Sequence, residues 1–503
     1  MRFGKTSLVF ATVMTMLATG AGPLAAPANY PLADAVKHRD IARVRVLLKE
    51  RADVNLPMPD GSTALHWAAQ WDDGEIADLL LVAHAQVDAK DVYGVTPLSL
   101  AATNGSAAMV SRLLRAGADP NLALPSGETP LMTAARAGKV DAVNPLLERG
   151  ASLEAKESSR GQTAVMWASA EGHTAVVKLL MEKGADIRAK SKAGFTPLLF
   201  SAQRGDTATT TLLLNAGVDV NEAAANGTTA LVLAVAGNHI AYAQYVLDHG
   251  GNPKLGPGYT PLHLAAATEG HVEGAEENEG TENPVLWGAP KRAFIESLIA
   301  HGAEVNEKAT RAPRGTGTVG ATPFFLAAWA GDADTMRQLV AHGADPNIAT
   351  PQGMTPLMVA SGILREAGGP NISEPRALEA VKLCVELGND VKAVNKSHGD
   401  TALHGAAYRG MHGGAQITQF LLEHGADVNV VNKRGWTPLM IAEGLYFSTY
   451  NTTNTATVEL LRKAGARPTP ANFVTNTGIR SSEVWYEPGC EPATLGSEGK
   501  CRP

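Results

Sequence analysis

The sequence predicts an all-α fold: a solenoid of stacked helix–turn–helix units, each followed by an extended β-hairpin finger. Three observations lead there. The string Gly-x-Thr-(Pro/Ala)-Leu recurs with slight variation, its glycine falling at Gly61, Gly94, Gly127, Gly161, Gly194, Gly227, Gly258, Gly320, Gly353, Gly399 and Gly435. The first five intervals are 33, 33, 34, 33 and 33 residues, and a fixed period of that size marks a repeat array. A second string, Leu-Leu-x-x-Gly-Ala-Asp-x-Asn, trails the first, as at Leu113–Asn121 and Leu421–Asn429.

Each element of the unit follows from its residues. Thr96 supplies a hydroxyl to cap a first helix, and Pro97 fits the first helical position, where its missing N–H costs nothing. Leu98 and the pair Ala101-Ala102 let a neighbouring helix approach closely. Gly105 ends this helix where a positive φ is cheap. Met109, Val110, Leu113 and Leu114 recur at helical spacing on a second helix, which Gly117 ends. The chain then turns out through Asp119 and Asn121 toward the fingertip at Gly127. One such unit cannot bury both its faces, so the units must stack.

These residues resemble the ankyrin repeat. Gly258-Tyr259-Thr260-Pro261-Leu262-His263-Leu264-Ala265-Ala266 and Gly399-Asp400-Thr401-Ala402-Leu403-His404-Gly405-Ala406-Ala407 carry its motif most fully, and the resemblance covers roughly residues 30–468. It implies an ankyrin-repeat solenoid with an N-terminal cap and about eleven repeats. Residues 29–59 read as the capping repeat, with Leu32, Val36, Val44 and Leu47 inside and a run of Lys and Arg outside. Residues 60–257 read as regular repeats, and residues 258–468 as repeats with insertions at 269–291, 307–319, 363–376 and 444–455. Extra residues also enter the turn Tyr408–Ala415. Insertions of this kind often sit on one face and carry specificity, although a surface loop also tolerates added length at small cost.

The two ends read differently. Arg2 and Lys5 precede an uncharged, mostly apolar stretch, Ser7–Thr19, and then Ala26-Pro27-Ala28. This is the pattern of a secretory signal peptide over residues 1–28, cleaved after Ala28. The alternative of an N-terminal anchor asks for a longer apolar stretch, of about 20 residues. The expected product is exported to the periplasm or, alternatively, secreted, as in a bacterial exported protein, with no membrane insertion of the mature chain. The tail, residues 469–503, holds Cys490 and Cys501, read as a disulfide pair, with three unpaired thiols as the alternative; Cys384 lies in an apolar helical stretch. Trp485 and Tyr486 either cap the last repeat or anchor a partner.

Composition narrows the function. A formal charge of −7 disfavours nucleic acid and anionic lipid as partners. Aromatics at 5% leave most of the apolar content small or aliphatic, which suits many similar close helix contacts. Gly315-x-Gly317-x-x-Gly320 matches a dinucleotide string, but the run before it is no apolar strand and Gly320 is the repeat's own glycine. His66, His263 and His404 share one repeat slot, where the resemblance implies a structural bond between neighbours. His249, His301, His342 and His424 share another, roughly 10 Å apart per unit by helix-packing distances, too far to share a metal. No catalytic residue, metal site or cofactor is expected.

In the resembled family the concave surface, made by the fingers and the ends of the first helices, contacts partners. Carried over by position, the finger residues are Tyr93, Phe195, Tyr259, Met354 and Trp436. The helix-end residues are Trp71, Arg136, Arg204, Trp329, Tyr408 and Arg409. Aromatic rings and arginine suit this role because they bury much area at modest entropy cost. Trp329, Tyr408 and Trp436 are expected to form a patch beside the insertions, while Trp67 and Trp167 are expected in the core. The functional expectation is a non-catalytic scaffold, monomeric, that binds a protein partner. An accessory or maturation subunit of an exported enzyme complex is the alternative, and a host-directed effector ranks below it.

Overall fold

A computed structural model describes residues 30–267, 288–313, 318–364, 372–409, 413–445 and 455–469. They fall into two compact units, Met1–Ser152 and Leu153–Pro503. This division lies well before the regular repeats give way to inserted ones near residue 258.

Within unit 1, helix pairs follow one another in chain order: Pro31–Lys37 and Ile41–Lys49, Ala64–Gln70 and Gly74–Val82, Pro97–Asn104 and Ala107–Arg115, Pro130–Ala137 and Val140–Glu148. The expected caps are present. Thr96 Oγ1 accepts from Ser99 N at 3.1 Å, and Ser99 Oγ accepts in return from Thr96 N at 2.8 Å, closing a reciprocal capping box. Gly105 adopts φ 69° and ends the helix. Asp73 and Ser106 cap the second helices of their repeats through Ile76 N and Met109 N. Leu65, Ile76, Leu80, Leu98, Met109, Leu113, Leu131 and Leu146 are wholly buried between the layers. Each such side chain contributes about 1.5–3 kcal/mol on leaving water.

Unit 2 repeats the plan from Ala164–Glu171 to Thr455–Lys463. Its second helices are nine residues long in the regular repeats, but Gly288–Ala300 and Glu374–Glu386, which follow insertions, are thirteen. The insertions predicted at 269–291 and 363–376 therefore end about one turn too late, because their last residues are already helical. Gly444, at the start of the one predicted at 444–455, still belongs to the irregular helix Ile441–Leu445. The insertion at 307–319 leaves the finger at Ala309 and rejoins it at Ala321, where Ala309 N donates to Ala321 O at 2.9 Å.

The fingers differ from expectation. Among the described residues there is no β-strand, only an isolated antiparallel bridge between Ala223 and Thr229. Each tip closes in too few residues for a ladder: Leu124 N donates to Glu128 O and Gly127 N to Leu124 O. The tip glycine is needed twice. Gly61 has φ 80°, and a Cβ there would lie 2.9 Å from Asp91 Cα of the next finger, whose Val92 N donates to Asp60 O.

Candidate partner-binding surface

First helices such as Ala64–Gln70, Pro97–Asn104, Pro130–Ala137 and Pro197–Arg204 end just before a residue of positive φ, and the helix-end positions behave differently along the chain. In unit 1 they are open. Trp71 is 45% exposed. Its ring stacks on that of Trp67, centroids 6.3 Å apart, because residues four apart share one helical face. Trp67 is thus half-buried on the open side and does not lie in the core as expected. Its Nε1 donates to Met58 Sδ at 3.2 Å, and the Lys37 ammonium lies 4.8 Å from its centroid. Arg136 is ion-paired with Glu128 at 3.1 Å. Tyr93, just before the tip glycine of its finger, is 69% exposed.

The first repeats of unit 2 are open as well. Arg204 is exposed, its guanidinium 3.9 Å from Glu171. Trp167 and Tyr259 are half-buried. Phe195 packs on Phe200 at 5.5 Å, beside Met166 and Ala189, which makes it part of a small core cluster.

In the repeats that hold Trp329, Ile363 and Arg409 the same positions are covered. Trp329, Ala330, Ile363 and Arg409 are all buried, and Tyr408 is half-buried. The cause is the extra helical turn beside each insertion. Ile372 packs over Gly331, where a Cβ would come within 2.8 Å of it. Arg376 Nη2 reaches Ala330 O at 3.5 Å, and Arg409 Nη2 donates to Ile372 O at 2.8 Å. Glu374 Oε1 accepts from Gly414 N and Gln416 N, both at 2.7 Å, and so caps the following repeat's second helix, whose own cap position is glycine. Lys291, 1% exposed, meets Asp332 at 2.8 Å. Burial pulls the Lys291 pKa below its usual value while Asp332 opposes that. Burial alone would raise the Asp332 carboxyl, but Lys291 and Thr335 bring it below the ordinary range.

Four expected contact residues are corrected by this closure or by the finger geometry. Trp329 is covered, and among the described residues its Nε1 has no hydrogen-bond partner. Met354 and Trp436 follow the tip glycine and are buried, as Ser62, Gln162, Thr228 and Ala321 also are, while Val95, Glu128, Phe195 and Tyr259 at the same position are half-buried. Arg409 is a buried structural donor and so joins them as a fourth. The patch expected from Trp329, Tyr408 and Trp436 is not brought to the surface. The sequence reading missed Lys37, Lys291, Asp332 and Glu374. Asp332 was legible as a helix cap, whereas Lys291 pairs across an inserted finger that no local pattern announces.

The titratable groups are built into the stack. His263 Nδ1 accepts from Thr260 N at 3.1 Å while Nε2 faces the carbonyls of Glu307 and Ala321 in the next repeat. Burial pulls its pKa down to about 4. His66 and His404 make the equivalent bonds to Val95 O and Trp436 O, and burial lowers both. His249, His301 and His424 each bond through Nδ1 to the carbonyl four residues back. Burial likewise pushes the Cys384 thiol far up. Among the described residues no group of His, Cys, Asp and Glu is placed to hold a metal, and no helix is long and apolar enough to cross a membrane. The leader, its cleavage after Ala28, most of the Gly315–Gly320 string and the pair Cys490 and Cys501 lie outside the described residues.

Comparison with known proteins agrees with the geometry. The family described as Ankyrin repeats (3 copies) matches residues 15–91, 32–123, 75–157, 98–191, 151–224, 198–277 and 372–472, and the Ankyrin repeat matches residues 319–351. A protein of Oryza sativa subsp. japonica, named as a probable E3 ubiquitin-protein ligase, is 36% identical over 113 residues, 22% of this chain and 19% of that protein. An ankyrin repeat protein of fowlpox virus (strain NVSL) is 29% identical over 108 residues, 22% of this chain and 16% of its own length. The human neurogenic locus notch homolog protein 1 is 31% identical over 207 residues, 37% of this chain and 7% of its own. The chain thus spans less than a fifth of each of these curated relatives. With the family matched over more than half of the sequence and its helix pairs, caps and fingertips in place, the chain belongs to the ankyrin-repeat family.

Proposed function

We propose that this chain is a non-catalytic protein–protein interaction scaffold that holds a protein partner on the open ends of its first helices, in the periplasm or outside the cell. The observation that carries the reading is that first-helix ends stand open to solvent within unit 1 and, separately, within the first repeats of unit 2. Trp71 and Arg204 stand exposed at positions whose later equivalents are sealed by the chain itself. Large rings and guanidinium groups left in water at repeated positions are the usual anchors of an interface. The signal-like leader supports the location.

Site-specific photocrosslinking in the native host tests this. A photoreactive residue at Gln70 or Gln203, both exposed, is expected to capture a discrete protein. The same residue at Arg115 or Lys178 on the second helices is expected to capture none. Equal adducts from both faces, or adducts from neither, would overturn the scaffold reading. Recovery of the tagged chain in the cytoplasmic fraction would overturn its location.

A further inference from the structure

We infer that the strip formed in unit 1 by Met58, Trp67 and Trp71, edged by Lys37, takes a short polypeptide segment in which an aromatic ring stands beside a carboxylate. This rests on the scaffold reading and names the partner chemistry at one part of it.

The strip is a built platform. Trp67 and Trp71 stand one turn apart on the open face, stacked at 30°. Met58 Sδ accepts the Trp67 N–H, which fixes that indole and leaves ring area as what the strip offers. Trp71, nearly half exposed, is its outer ring. Planar side chains gain from stacking offset or edge-on against such a ring.

The charge beside the rings sets the sign of the ligand. Lys37 lies over Trp67 at 4.8 Å, and among the described residues no carboxylate pairs with it. The acids nearby are engaged: Asp73 caps its helix through Ile76 N and faces Arg39 at 3.7 Å, and Asp72 accepts from the Ser106 hydroxyl. Asp34 is half-buried one turn back on the Lys37 helix. His38 turns Nδ1 to its own helix at Asp34 O. Lys37 is therefore the cation at this edge that no carboxylate of the described residues faces, and it favours an anion. A ligand carboxylate on Lys37 is strengthened by the low-dielectric indole beneath it, whereas a basic segment meets like charge. No other first helix of the described residues carries two tryptophans at these positions.

Fluorescence anisotropy on the full chain tests the inference with four labelled probes. They are a twelve-residue peptide with phenylalanine flanked by glutamates, the same peptide with lysines for the glutamates, the same with alanine for the phenylalanine, and a single-stranded oligonucleotide. The first is expected to bind best. Trp71→Ala is expected to weaken it about tenfold or more, and Lys37→Glu to reverse the preference toward the lysine peptide. Lys37→Met, which keeps the packing, is expected to erase the preference. Val82→Ser, at an exposed second-helix residue, is expected to change nothing. Equal or better binding of the lysine peptide or the oligonucleotide, indifference to both Trp71→Ala and Lys37→Met, or no binding by any probe would overturn the inference. Crosslinks at Gln70 that survive such a result would leave the scaffold reading intact, and their loss as well would remove both.

Discussion

The helix ends of unit 1 and those of the last repeats of unit 2 are built from the same motif and end in opposite states. At Trp71 the position is open to water, and at Trp329 a tryptophan at a neighbouring helix-end position is sealed. The repeat framework is alike in both. What differs is one helical turn: where the second helix lengthens from nine residues to thirteen, its added residues reach across the neighbouring first helix. Lys291 and Asp332, then Arg376, Glu374 and Arg409, fasten those contacts. An insertion in a solenoid can therefore cover the helix-end surface as well as extend it. The regular repeats, which look least distinctive in sequence, keep that face open to solvent.

The strongest way to break this comparison is to unfasten the closed side. Lys291→Ala leaves the Asp332 carboxylate buried without its partner, and a loss of about 3–5 kcal/mol is expected in unit 2. Half-buried Lys37→Ala in unit 1 removes only the contact of its ammonium with the Trp67 ring, and a loss of about 1 kcal/mol or less is expected. Hydrogen exchange over residues 323–341 and 64–82 reads the two effects separately. The double variant Lys291→Met/Asp332→Asn is expected to recover most of the loss, since a packed apolar side chain replaces a buried pair at little cost. Equal small effects from Lys291→Ala and Lys37→Ala would mean that the extra turn does not hold the closure.

Acid probes the bonds that both regions share. His263 titrates at about 4 when folded, against an ordinary 6.5. The folded chain binds the proton less readily than the unfolded one. Its contribution is therefore complete above pH 6.5, declines as the pH falls from there toward 4, and is spent below. About 3 kcal/mol is expected over that window from this residue. Replacing His263 with glutamine should flatten the pH dependence of unit 2 stability in urea titrations from pH 7 to pH 4. An unchanged slope would show that the ring is not held neutral. His66 shifts in the same direction, so unit 1 should lose stability over an acid window that also begins near 6.5.

Much of this architecture was legible because the repeat writes it eleven times. Thr96, Pro97 and Gly105 announce a capped helix and its end, and the period of 33 announces the stack. The His slot was legible for the same reason. The candidate surface was legible only where the chain keeps to the period. Trp71 and Tyr93 are exposed as read, but Trp329 and Arg409 depend on what an insertion does in the adjacent repeat, and no local pattern encodes that. Met354 and Trp436 fail for a different reason. The tip glycine reverses the chain, so the residue before it is the more exposed one at Tyr93, Arg160, Val319 and Gln352, and Met354 and Trp436 fall on the covered side. The motif names the glycine without stating that asymmetry.

The smallest expected effect concerns how the open repeats are joined. Asn121 Nδ2 donates to Gly150 O at 3.0 Å and its Oδ1 accepts from Ser152 N at 2.7 Å, tying one turn to the next. Asn221, Asn306 and Asn429 do the same in unit 2. The equivalent residue one repeat before Asn121 is Asp88. Its two oxygens share the single donor Asp119 N at 3.2 Å each, and it has no proton to give to Gly117 O. Burial, with the nearby Asp119 charge, raises its carboxyl above the usual range, as expected of a charge held where an amide would serve better. Asp88→Asn is therefore expected to stabilise unit 1 by about 1 kcal/mol, the net worth of one added neutral hydrogen bond. The lost attraction to Lys90 is small because both groups meet solvent. The urea midpoint at pH 7 should rise, and the gain should shrink in acid as Asp88 itself becomes protonated and able to donate. A gain that persisted unchanged at low pH, where the protonated carboxyl is neutral and can itself donate, would show that neither the missing donor nor the charge of Asp88 is its source.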